Sequence, residues 1–455
     1  MVSRTKKRPG VSQLCMAPIY VFIVASIALG GGPGQLDFAL LAWCIAALFL
    51  IVSRPWQNWN SSLRALPSPA QGAVWLWLTL PFFQLVPLPP SIWQTLPGSE
   101  IRTAIAQHFG MGSQWMPLSL SPIETTYTAI VSLGMFTFFT AIISLTERQL
   151  RQAIWVIVGM FALATTIGVI QYTSSGQLLQ FHSLAHRTSL LGFFANKNHM
   201  ALALACMIPL GYALIKDLPG EGAIKNYQFA CLFGLVFALL ITTNSRAGLA
   251  FGMIATLATL FHIAPKRRAL VASIFVGAVA LLSAILSLVP NIAIVMERFG
   301  NTSEDGRLDM LAQSWPLIEQ YSATGSGFGS FSEVFVPNEK LEWLLPNYVN
   351  QLHNDWVQFV MEGGIPAGLI IILVIISLTM ATLKARAQGE QHSSSGSFEA
   401  NILWASMVII ALFGLHSIID YPARRIASLM LLIFALSLTM RPYVLAQRKL
   451  AMANS

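Results

Sequence analysis

The segment Asn350-Gln351-Leu352-His353-Asn354-Asp355-Trp356 sets an imidazole beside an amide and a carboxylate, just before a long apolar run opens at Val357. Histidine exchanges a proton near neutral pH, and a neighbouring amide or carboxylate can fix its tautomer or orient an incoming hydroxyl. His353 is therefore the candidate proton acceptor, with Asn354 and Asp355 as candidate orienting groups. A loop histidine that only bridges backbone is the other reading of the same residues.

Three further places supply cations where apolar sequence surrounds them. His186-Arg187-Thr188-Ser189-Leu190-Leu191-Gly192-Phe193-Phe194-Ala195-Asn196-Lys197-Asn198-His199 carries Arg187, Lys197 and Asn198 into an apolar run, and Thr242-Thr243-Asn244-Ser245-Arg246-Ala247-Gly248 interrupts another with Arg246. An arginine at mid-bilayer costs roughly 2.5 to 3.5 kcal/mol on insertion scales, which asks for a partner or for snorkelling to headgroups. No acidic residue lies near Arg246 in sequence, so an anion such as a diphosphate is its candidate partner, which a guanidinium fork would bind in a bidentate way. Farther on, Arg307 precedes the glycine-containing stretch Thr324-Gly325-Ser326-Gly327-Phe328-Gly329-Ser330-Phe331. No strand precedes that stretch, so it reads as a turn rather than a nucleotide fingerprint, with a backbone nest for phosphate as the alternative. His416 and Asp420 lie four apart, as on one helix face, and Tyr421-Pro422-Ala423-Arg424-Arg425 follows. No Asp-x-Asp, His-Glu-x-x-His or Cys-x-x-Cys is present, so neither a metal nor a cofactor is expected.

The elements that must position these groups are membrane helices. Of 455 residues, 55% are hydrophobic and only 10% charged, far from the roughly 25% charged of a soluble domain. About twelve apolar runs are long enough to span, centred near Ile23, Cys44, Leu78, Leu133, Val158, Ala205, Leu235, Ile254, Val279, Ile371, Val408 and Leu431. The run from Gln228 to His262 would be roughly 50 Å long as one helix, so it must fold back, with its tip at Thr242 to Gly248. Most lysines and arginines fall in the short loops and ends of one side, which places both termini in the cytoplasm. On the outer side, a proline-rich loop from Gln84 to Pro122 holds a candidate interfacial helix from Ser99 to Phe109. The longest outer loop, from about 290 to 355 between spans 9 and 10, should open with a helix after Asp305 whose Leu308, Leu311, Trp315 and Ile318 share one face. The net charge of +8 sits in short loops and not on a soluble basic face, so no nucleic-acid partner is expected. Paired broken helices of two matching halves are missing from the pattern, which argues against a secondary transporter.

Taken in this order, Gly192-Phe193-Phe194-Ala195-Asn196-Lys197-Asn198-His199, Thr243-Asn244-Ser245-Arg246-Ala247-Gly248, Arg307 to Gly329, and His353-Asn354-Asp355-Trp356 with Glu362-Gly363-Gly364-Ile365-Pro366 resemble the O-antigen ligase and polysaccharide polymerase superfamily. The resemblance covers Thr188 to Arg424. It implies an all-α polytopic protein with a GT-C-like fold in the bacterial inner membrane, its active site facing the periplasm. It further implies a metal-independent enzyme that moves a glycan from undecaprenyl diphosphate to a hydroxyl of a glycan, lipid A core or other acceptor. His353 would then activate the acceptor and Arg187 and Arg246 would hold the diphosphate. Arg307, Lys197, Asn198, Asn354, Asp355, His416 and Arg424 complete the expected substrate-binding set. Three regions follow: helices 1 to 5 in residues 1–186, the catalytic region in 187–424, and a last span with its tail in 425–455. Ligase, chain polymerase and protein glycosylase differ in acceptor and stay open, as does a lipid-linked sugar transporter.

Overall fold

The computed structural model describes residues 16–32, 37–53, 56–182, 188–287, 307–340, 342, 349–391 and 397–453. These form α1 (Ala17–Leu29), α2 (Asp37–Val52), α3 (Trp56–Arg64), α4 (Ser68–Leu85), α5 (Pro90–Trp93), α6 (Glu100–His108), α7 (Pro122–Ile143), α8 (Glu147–Thr173), α9 (Lys197–Asp217), α10 (Gly222–Thr242), α11 (Arg246–Ile263), α12 (Arg268–Ser287), α13 (Arg307–Tyr321), α14 (Phe331–Phe335), α15 (Asp355–Gln391), α16 (Phe398–His416) and α17 (Ile426–Ala453). One short antiparallel ribbon pairs β1 (Pro87–Leu88) with β2 (Met116–Pro117), Pro87 opposite Pro117. Every centre read from the apolar runs falls inside a helix. Among the described residues, the eight helices α7 to α11 and α15 to α17 are long and apolar enough to cross a membrane, and α1 contributes a shorter apolar helix. The molecule is an integral membrane protein.

α9 is the axis of the bundle. In its apolar window 83% of residues are buried, against 11% in α10, so α9 is enclosed by protein while α10 presents apolar residues outward. Small residues let its neighbours approach: a Cβ on Gly248 of α11 would lie 2.2 Å from the Cβ of Ala201, so only glycine allows this crossing. α9 also packs on α10 and α16. A second group joins α1, α2, α7 and α17 around Phe22, Trp43, Phe138 and Phe434, with Phe22 and Phe138 stacked at 4.9 Å.

The fold-back between Gln228 and His262 is present as α10 and α11, joined by Thr243 to Ser245. The hairpin tip is docked, since Leu190 N–H donates to Thr242 O at 3.0 Å and Asn244 Nδ2 to Thr188 O at 2.8 Å. The expected helix of the first outer loop is α6, and its Ile101, Ile105 and Phe109 are 55%, 54% and 70% exposed, as a face turned to an interface would be.

α15 is broken at Gly364, whose φ of 67° and ψ of −161° interrupt the helix. Pro366 has no N–H for the Glu362 carbonyl, so that carbonyl needs other donors. It receives Gly327 N–H at 3.0 Å and Gln84 Nε2 at 2.8 Å. Met361 O likewise accepts Ser326 N–H at 3.1 Å, and Ile365 N–H turns to Ala323 O at 3.3 Å. The glycine-containing stretch is thus the plug of this break. Ser326, Gly327 and Phe328 spend their amides on α15 and on Gln84, whose Oε1 takes Phe328 N–H at 3.1 Å, which leaves fewer donors for the alternative of a phosphate nest there.

The helix after Asp305 is α13, and its inward face is rotated from the expected one, keeping Ile318 and Leu311 but not Leu308 or Trp315. Met310, Leu317, Ile318 and Tyr321 pack with Phe331, Phe335, Leu352 and Met361, whereas Leu308 is 81% and Trp315 51% exposed. Two adjacent apolar stripes run along this helix, and spacing alone could not choose between them. The contact with α15 selects the 310, 317 and 321 stripe.

Candidate functional site

The site lies where α9, α11 and α15 begin and α16 ends, with Arg307 of α13 beside it. Its centre is Asp420, fully buried, in the turn that leaves α16. Asp420 N–H still donates to His416 O at 2.9 Å, so the chain completes one more turn before it breaks. Asp420 Oδ2 accepts Asn198 Nδ2 at 2.7 Å, and Oδ1 accepts Tyr421 N–H at 2.9 Å.

Three imidazoles converge on the same carboxylate. His353 Nδ1 lies 3.4 Å from Oδ1, His199 Nε2 3.7 Å from Oδ1, and His416 Nε2 3.7 Å from Oδ2. Arg307 Nη2 approaches Oδ2 at 3.9 Å, while its Nη1 donates to Ile419 O at 2.7 Å. Burial by itself would raise the Asp420 carboxyl, but the imidazole N–H groups facing it outweigh that and hold it well below the usual carboxylate range. Asp420 is an anion at neutral pH.

His353 differs from the other two histidines in access. Its side chain is 28% exposed, while those of His199 and His416 are fully enclosed. Its φ of 57° is unusual for a residue with a Cβ, and the segment around it holds this conformation. Leu352 N–H donates to Gln358 Oε1 at 2.8 Å, and Gln358 Nε2 reaches Gln351 Oε1 at 2.7 Å and Glu362 Oε1 at 2.9 Å. The Tyr421 ring meets the His353 ring edge-on at 4.7 Å.

The two residues after His353 have other work. Asn354 Oδ1 accepts Val357 N–H at 3.1 Å and so caps α15. Asp355 Oδ2 accepts Ala423 N–H at 2.9 Å and the Ser417 hydroxyl at 3.3 Å. The group that faces the His353 ring is Asp420, while Asn354 is engaged by the α15 backbone and Asp355 by Ala423 N–H, the Ser417 hydroxyl and Arg424. Arg424 is held between Asp355 Oδ1 at 3.3 Å and Glu362 Oε2 at 2.6 Å. Both carboxylates already neutralise it, so its position is that of a clasp between α15 and the turn before α17.

Two of the remaining cations share one feature: Lys197 and Arg246 are each the first residue of a helix, α9 and α11, whereas Arg307 is the first described residue of α13. Cations are unfavourable at that end of a helix dipole by about 0.3–1 kcal/mol each. The two helix starts are tied to each other by the residues next to these cations, since Ser245 Oγ donates to Asn198 Oδ1 at 2.8 Å while also capping α11 at Gly248. A chain of side-chain contacts therefore runs Ser245, Asn198, Asp420, His353. Arg187 lies outside the described residues. Among the described residues, no group of three or more histidine, cysteine, aspartate or glutamate side chains is arranged to hold a metal ion.

Sequence reasoning singled out His353, Lys197, Asn198, Arg246, Arg307 and His416, all of which border this cluster. It missed His199 as a site residue and Asp420 as its centre. Asp420 was visible only as a neighbour of His416, and nothing local ties it to His353 or to Asn198.

Residues 231–373 match the family model described as O-antigen ligase. The matched stretch begins within α10 and ends within α15, and so contains Arg246, Arg307, His353 and Glu362. It supports the resemblance to the O-antigen ligase superfamily and an O-antigen ligase or polymerase type of membrane function. No curated protein matches the chain.

Proposed function

We propose that this protein transfers a glycan from undecaprenyl diphosphate to an acceptor hydroxyl at the periplasmic face of the inner membrane. The observation that carries the reading is a partly exposed imidazole backed by a buried carboxylate, His353 Nδ1 on Asp420 at 3.4 Å, with Arg307 approaching the same carboxylate and the helix starts that bear Lys197 and Arg246 tied to it through Asn198. With Nδ1 turned to Asp420, Nε2 is the nitrogen left to meet a hydroxyl.

The reaction needs little else. The acceptor oxygen attacks the anomeric carbon as its proton passes to His353 Nε2. The bond from that carbon to the diphosphate oxygen breaks, and undecaprenyl diphosphate departs with both electrons of that bond. A diphosphate is a good leaving group, and Lys197 and Arg246 at helix N-termini meet the charge it gains. An anion there also removes the conflict between each cation and its own helix dipole. Asp420 then stabilises the imidazolium without itself taking the proton.

One displacement inverts the anomeric centre. Product linkage determined by NMR on glycan made by the purified protein tests this directly, and retention of configuration contradicts a single displacement. Ligase and polymerase share this apparatus and differ in whether the hydroxyl belongs to a terminal acceptor or to another lipid-linked chain. The family match favours neither.

A further inference from the structure

Two histidines that this mechanism leaves unused stand behind the His353–Asp420 pair. His199 and His416 are wholly buried, and none of their four ring nitrogens makes a hydrogen bond. Buried polar atoms without partners are costly, and a leucine or phenylalanine would fill either position in a membrane helix at less expense. The shared feature of the two rings is Asp420, on which they approach different oxygens at 3.7 Å. Their other neighbours are largely aromatic: Phe251 of α11 lies 4.9 Å from the His416 ring, Tyr421 lies 5.2 Å from the His199 ring, and the two imidazoles are 6.4 Å apart.

The groups facing Asp420 come from every side. His199 and Asn198 belong to α9, Arg307 to α13, His353 to the segment before α15 and His416 to α16, while Asp355 at the start of α15 and Arg425 after the Tyr421 turn act on the cluster through charge. Three imidazoles therefore draw on one negative charge, and only His353 can meet a substrate.

We propose that His199 and His416 are positioning residues that divide the charge of Asp420 with His353 and so set the pH above which His353 can accept a proton. An imidazole N–H turned toward a carboxylate stabilises the anion whether the ring is neutral or charged. The more of that charge His199 and His416 engage, the less is left to hold a proton on His353. Removing one of them makes His353 retain its proton to higher pH. In catalytic terms the inference rests on the transfer reaction proposed above, but the basicity of His353 can be read without it.

The test compares wild type, His416→Leu, His416→Gln and His199→Gln in nanodiscs between pH 5 and 9. Reaction of diethyl pyrocarbonate with His353, which requires the unprotonated ring, is followed by mass spectrometry of the peptide containing it, and glycan transfer is followed in parallel. In His416→Leu the half-reactive pH and the acidic limb of the transfer rate should both rise by about one pH unit. In His416→Gln the rise should be smaller, because an amide N–H can still face the carboxylate. An unchanged or lowered half-reactive pH in folded His416→Leu overturns the proposal. If that variant does not fold, no rise in either His416→Gln or His199→Gln overturns it. A rise in half-reactive pH with no glycan transfer by wild type would uphold this inference and defeat the proposed function instead.

Discussion

Replacing Asp420 by asparagine removes one charge and almost no volume, so it isolates what the buried carboxylate does for His353. A unit charge pair at the 3.4 Å that separates Asp420 Oδ1 from His353 Nδ1 is worth about 5 kcal/mol at an effective dielectric of about 20. His353 is 28% exposed and Arg307 shares the same carboxylate, so solvent and that guanidinium reduce the loss to about 3–4 kcal/mol. That is about a 10²- to 10³-fold fall in kcat. Asp420 is enclosed and does not meet the donor, so KM for the lipid-linked glycan should change by less than about threefold. The asparagine oxygen can still accept Asn198 Nδ2, which preserves the tie between α9 and the turn. Single-turnover transfer by purified protein in nanodiscs, with donor binding measured separately, provides both numbers. An Asp420→Asn enzyme that binds donor normally and retains kcat within about threefold of wild type would falsify the orienting role.

Arg246→Lys keeps a cation at the start of α11 but cannot fork across two phosphate oxygens, so donor affinity should fall by at least about tenfold, read by titration with undecaprenyl-diphosphate glycan; unchanged affinity removes Arg246 from the diphosphate site. Arg424→Met strands Asp355 and Glu362, both buried, and should cost about 3–5 kcal/mol of stability, seen as a lower thermal midpoint; a midpoint equal to wild type excludes the clasp. Gly364→Ala places a Cβ 2.7 Å from the Thr324 backbone at a φ of 67°, and should loosen the break in α15, exposing the amides of Ser326 and Gly327 to hydrogen exchange; unchanged protection there contradicts the plug. The depressed Asp420 carboxyl contributes stability that is complete above the unfolded-state value near 4 and is lost only as pH falls through the still lower folded value. The gap in thermal midpoint between wild type and Asp420→Asn should therefore not shrink from pH 7 to pH 5, and a gap that closes over that range contradicts the assignment.

The helices were legible because each apolar run is itself the cause of its helix in a membrane: backbone groups there must bond within the segment. The fold-back of α10 and α11 followed from length alone. The cluster at their ends was harder, since Asp420 meets His199, Asn198, Arg307 and His353 across more than one hundred residues of chain in some cases, and no period or spacing records such meetings. His199 looked like part of an apolar motif, and its burial is apparent only once α9 proves to be the axis. Asp355 and Arg424 drew attention by type and position, but no spacing records that Arg424 pairs with both Asp355 and Glu362, the latter two turns further along α15. The face of α13 misled for a simpler reason, because Leu308 and Trp315 satisfy helical spacing as well as Met310 and Leu317 do.

His353 as the proton acceptor of glycan transfer is the central claim. The most direct measurement supplies purified protein in nanodiscs with undecaprenyl-diphosphate glycan, alone and then with a lipid A core acceptor, beside His353→Ala. The expected result is a longer lipid-linked ladder or a glycosylated core with wild type, and in His353→Ala unaltered donor binding with no product. Product formation by His353→Ala at the wild-type rate, or no product from well-folded wild type with either acceptor, would contradict it.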